Sequence, residues 1–135
     1  MTPIDLLITK HGYALQCWYD RYGRGVWALI GPVSAHLDVI RDTTEGGDAE
    51  SVSIGEYFGD AGAWLPVVTA STWTAAIQAL DQKLSGVPED QLGRDTEWGD
   101  AVFRAFERVV EIGPGNLGLN DDARDDEALR APQVA

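Results

Sequence analysis

Cysteine is nearly absent from this chain. Its 135 residues hold one, Cys17, so no disulfide can close within it, and a reducing, cytoplasmic compartment is expected. No run of about 18 apolar residues occurs, so no membrane-spanning helix and no membrane partner are expected. Residues 1–5 lack a basic stretch leading into a long apolar one, so no secretory leader is expected. Lysine is scarce: Lys10 and Lys83 are the only two, and the ten lysines and arginines face 22 carboxylates. A net charge of −12 repels phosphates, so direct nucleic-acid binding is not expected and basic partners are favoured.

Catalytic signatures are missing too. No nucleophile elbow, phosphate loop or metalloprotease helix is present. One cysteine and two histidines, with no close-spaced pair, make a poor zinc set. Cys17 with His11 or His36 would make a thiol and a base, but Cys17 shares its alternation face with Leu15 and Tyr19 and reads as a small buried hydrophobe. Glu56 with Asp60 could act as an acid/base pair, yet among 22 acids such pairs arise by chance. Gly113, Gly115 and Gly118 spell GxGxxG, but they follow a helix pattern instead of a strand, so they read as a helix stop. Asn120 to Glu127 is rich in carboxylate, but Arg124 and Asp125 stand where a calcium loop needs its ligands and glycine. The expectation is therefore no enzyme, no catalytic residue, no metal and no cofactor.

Hydrophobic residues make up 44% of the chain, enough for a core in one domain of this length. The organising stretch is residues 13–39. Tyr13, Leu15, Cys17 and Tyr19 alternate with Ala14, Gln16, Trp18 and Asp20, which predicts a strand with the first set inward. Tyr22-Gly23-Arg24-Gly25 supplies a turn, and the apolar run 26–30 predicts a central strand buried on both faces. After Gly31-Pro32, the alternation of Val33, Ala35, Leu37 and Val39 predicts a third strand, with His36 on its polar side. Residues 52–58 predict a fourth strand and residues 63–68 a fifth, bulged or at an edge because of Pro66.

The period then changes. Trp73, Ala76, Ile77, Leu80 and Leu84 share one helical face, with Ser71 as cap and Gly86 as stop. Trp98, Val102, Ala105, Phe106, Val109 and Ile112 predict a second helix capped by Asp95 or Thr96 and halted at Gly113-Pro114-Gly115. Residues 2–9 fit a short helix, with Thr2 as cap and Pro3 at its first position, or a short strand. The expected fold class is α+β: a mostly antiparallel sheet of four to five strands, then two helices packed on one face. The domain is expected to span residues 1–112, with an acidic tail or arm over residues 113–135.

Charge placement then bears on function. Residues 1–40 balance Asp5, Asp20 and Asp38 against Lys10, Arg21 and Arg24, whereas residues 41–60 set six acids against Arg41 alone. Helices on one face would leave Trp18 and Trp27 exposed on the other. An exposed tryptophan among polar residues has the character of an interface anchor. The expected partner-binding residues are Trp18, Trp27, Glu45, Asp48 and Glu50. The expected function is a non-enzymatic, acidic protein–protein interaction module of inhibitor or immunity type, which engages a basic protein surface. The alternative is a structural subunit of an assembly such as a phage particle, located in the virion. It would bind copies of itself through the C-terminal arm.

Overall fold

The computed structural model of the chain describes residues 1–59, 64–118 and 126–132. The element order is α1 (Pro3–His11), β1 (Ala14–Tyr19), β2 (Val26–Gly31), α2 (Ser34–Thr44), α3 (Asp48–Gly59), β3 (Val67–Ala70), α4 (Trp73–Ser85) and α5 (Glu97–Ile112). Short 3-10 turns lie at Glu89–Gln91, Pro114–Asn116 and Glu127–Leu129. The class is α+β, with a three-stranded antiparallel sheet among the described residues in the order β1-β2-β3.

Helix α1 forms where its signals stood. Thr2 accepts from the Asp5 amide, the Asp5 carboxylate accepts from the Thr2 amide, Pro3 opens the helix, and Gly12 closes it in a left-handed conformation at φ 66°. Asp81 of α4 also accepts from the Ile4 amide at 3.0 Å, which places a carboxylate at the positive end of α1.

Strand β2 is central and every one of its residues is buried, as its unbroken apolar run requires. It pairs with β1 (Trp18 opposite Trp27, Tyr19 opposite Val26) and with β3 (Trp27 opposite Thr69, Val26 opposite Ala70). Pro66 stands just ahead of β3, where its missing N–H costs the ladder nothing, and its carbonyl accepts from the Ile30 amide at 3.2 Å. The expected fifth strand is thus shifted toward the C-terminus; its first residue, Ala63, lies outside the described residues.

Two expected strands are helices. Residues 34–44 form α2, burying Leu37, Ile40 and Thr44 at i, i+3 and i+7. Their apolar positions fit both periods, and the helix starts at Val33 without a side-chain cap, so the usual start signal is missing. Residues 48–59 form α3, burying Ser51, Ile54, Tyr57 and Phe58, while Val52 is exposed. Here β-branched residues and the mid-helix Gly55 oppose helix locally by a few tenths to about 1 kcal/mol each, less than the packing of Ile54, Tyr57 and Phe58 provides.

With these changes the sheet is covered on both faces, not one. Trp27 meets Phe58 of α3 edge-on with ring centroids 6.4 Å apart. A Cβ on Gly31 would touch Phe106 of α5 and Leu37 of α2. Helices α2, α3 and α5 therefore share the face of Trp18 and Trp27. On the opposite face Tyr19 meets Trp73 of α4 at 5.8 Å, and α4 packs on β2, β3 and α1. Helix α4 is capped by Thr72 in place of the expected Ser71, and α5 by Thr96, one of its two expected caps.

In its described parts, the expected arm from residue 113 packs against α3 and α5. Leu117 is buried, and the Gly118 amide donates to Ser53 Oγ of α3 at 2.8 Å. Residues 126–132 lie across α5. Leu129 is buried, its carbonyl accepts from Trp64 Nε1 at 2.9 Å, and Asp126 pairs with Arg108 Nε at 2.8 Å. Residues 119–125 and 133–135 lie outside the described residues. Leu129→Ala is expected to cost about 2–5 kcal/mol, the usual range for emptying a buried leucine site. A urea midpoint equal to that of the parent protein would show that this segment contributes nothing to folding.

Candidate partner-binding surface

The site is built from the turn between β1 and β2. Asp20 directly follows β1, and its buried carboxylate accepts four donors: Trp27 Nε1 (2.8 Å), the Tyr22 amide (2.9 Å), the Arg24 amide (3.0 Å) and the Arg24 guanidinium (3.4 Å). Burial alone pushes this carboxyl's pKa up. The Trp27 N–H, the two amides and the Arg24 charge together pull it below its ordinary value. Arg24 then reaches across to α3, where its guanidinium donates to Ser51 Oγ at 2.8 Å and lies over Gly55. A side chain at residue 55 would run into that guanidinium, so the glycine that weakens α3 locally is what lets Arg24 lie there.

The same turn grips the junction between α2 and α3. Tyr22 donates its hydroxyl to the Gly46 carbonyl at 2.6 Å, and Arg21 donates to the Glu45 carbonyl at 3.0 Å. These donors go to backbone, leaving the neighbouring carboxylates unpaired by them. Glu45 makes an exposed pair with Arg41 at 3.3 Å. Asp48 and Glu50 are exposed and have no cation at ion-pair distance among the described residues. Glu50 rests its stem against Gly115, and its carboxylate lies near Gly46. Asp48 and Glu50 also lie in the first turn of α3, where they offset the helix dipole.

Of the five expected partner-binding residues, Glu45, Asp48 and Glu50 are together and exposed, while Trp18 and Trp27 are not at the surface. Trp18 is 3% exposed and Trp27 fully buried, their rings stacked with centroids 6.1 Å apart. Trp18 donates to Thr44 Oγ1 at 2.9 Å, and Arg41 lies over its ring. The expectation of an exposed tryptophan face is corrected, because α2 and α3 cover it. The exposed aromatic of β1 is instead Tyr19.

The other candidates do not assemble. Cys17 is half-buried in β1 and burial pushes its thiol pKa up; no hydrogen bond joins it to a histidine among the described residues. His11 packs on Gly93, and His36 lies 5.8 Å from the Phe103 ring. Gly113 ends α5 at φ 91°, and a single 3-10 turn follows it. Asp60 and residues 120–125 lie outside the described residues. Among the described residues no three His, Cys, Asp or Glu side chains could hold a metal ion, and no helix is long and apolar enough to cross a membrane. The Asp20–Arg24–Ser51 network had no sequence signature beyond an aspartate opening a glycine turn. No protein-family model, curated protein or solved structure matches this chain.

Proposed function

We propose that the protein is a non-enzymatic acidic binding module whose α2–α3 corner engages a basic surface on another protein. The observation that supports this is the corner itself: Glu45, Asp48 and Glu50 stand exposed on a backbone held by Tyr22 and Arg21. A fixed backbone lowers the ordering cost of association, and like-signed charges speed encounter with a basic partner. Such carboxylates can occupy the phosphate positions of a nucleic-acid-binding enzyme, which is how an inhibitor or immunity protein would act. Assembly through a C-terminal arm has less support, because Leu117 and Leu129 already pack in the chain's own core.

The test is affinity capture followed by titration with the captured protein. The parent and an E45Q/D48N/E50Q variant are compared at low and high salt. The variant is expected to fold normally and to bind about tenfold or more weakly at low salt, with the difference shrinking as salt screens the charges. Equal affinity for parent and variant would sink the assignment of this corner.

A further inference from the structure

Lys83 stands apart from every group used so far. It lies on α4, away from the acidic corner, in the wall of a cleft of about 340 Å³ that also includes Trp64, Trp98, Pro88 and Pro132. No other charged side chain lines that cleft among the described residues. Its indoles are held in place. Trp98 stacks on Tyr13 with centroids 6.5 Å apart and planes 10° apart, and Trp64 is tied by its N–H to the Leu129 carbonyl. A cleft of this size with rigid aromatic walls and one polar group matches the general pattern of small-ligand sites.

We propose that this cleft binds a small aromatic aldehyde, which Lys83 holds as an imine. The indoles and prolines receive the flat apolar ring. The neutral amine adds to the carbonyl carbon, the carbinolamine loses water, and a C=N bond replaces C=O with no change of oxidation state. Protonated, the imine keeps one N–H, and that donor can retain the bond Lys83 Nζ now makes to the Val67 carbonyl at 3.2 Å. Burial lowers the amine's pKa to about 8. Near neutral pH a far larger share of such an amine is neutral than of an ordinary lysine.

The chain carries its own reference, because Lys10 is its only other lysine. The full chain is treated with benzaldehyde, or separately acetaldehyde, in the presence of cyanoborohydride, and the reduced adducts are counted by peptide mass spectrometry. Lys83 is expected to label with benzaldehyde at least about tenfold faster than Lys10 near neutral pH. It should also prefer benzaldehyde over acetaldehyde more strongly than Lys10 does. Trp64→Leu is expected to reduce that preference at Lys83 and leave Lys10 unchanged. Labelling of Lys83 no faster than Lys10, or the same aldehyde preference at both lysines, would overturn the proposal.

Discussion

Asp20→Ala is expected to lower folding stability by about 3–5 kcal/mol, the range seen when one partner of a buried, hydrogen-bonded charge is removed. The loss has several sources. Trp27, fully buried, keeps an indole N–H with no acceptor, and the amides of Tyr22 and Arg24 lose theirs. The Arg24 guanidinium keeps Ser51 but loses its counter-charge. Asp20→Asn should fall between alanine and the parent, since its amide oxygen can still accept from one or two of these donors.

Acid adds a second readout. The carboxyl binds its proton less readily folded than unfolded, so the unfolded chain takes it up first as pH falls. The stabilisation is fully present above the ordinary value of 3.8 and is lost as pH drops through the lower folded value. Chemical denaturation of the three proteins across the acid range measures both effects. The asparagine variant should lack this acid-sensitive component. Parent and alanine variant within about 1 kcal/mol at neutral pH would show that the network does not hold the turn.

Gly25→Ala is expected to cost about 3 kcal/mol or more, combining left-handed backbone strain with overpacking. Gly25 sits at φ 102°, and a Cβ there would collide with the Ala70 carbonyl oxygen of β3. That contact is backbone against backbone, so no rotamer change relieves it. The turn and β3 would have to separate, loosening the pairing of Val26 with Ala70. Gly23 is the built-in comparison. It has φ 90° but open space around it, so Gly23→Ala should show strain alone, about 1–2 kcal/mol. The difference between the two midpoints in denaturant isolates the close approach of turn to strand. Equal losses would mean that β3 does not lie against the turn.

The corner that Gly25 and Asp20 support was only half legible in the residues. Glu45, Asp48 and Glu50 were readable as exposed charge because carboxylates rarely leave water unpaired. Their rigid backbone was not readable, since it depends on Tyr22 and Arg21 reaching 24 residues along the chain. Trp18 misled for a related reason. Alternation correctly set it opposite Leu15, Cys17 and Tyr19, but period two does not say which side is covered. The answer depended on helices where two strands were expected, so those misread periods carried through to the partner surface.

Local chemistry was sufficient where several signals agreed. The Thr2 and Pro3 start of α1, the glycine turn into an all-apolar β2, the stripes of α4 and α5, and the acid excess each follow from side chains within a few residues of one another. Tertiary structure decided the rest. Residues 34–44 and 48–59 are helical because that places Leu37, Ile40, Ile54 and Phe58 on a sheet whose tryptophans would otherwise face water. Leu117 and Leu129 belong to the core because α3, α5 and Trp64 provide sites for them. Burial depends on what lies opposite a residue, and here the opposing surface comes from distant parts of the chain.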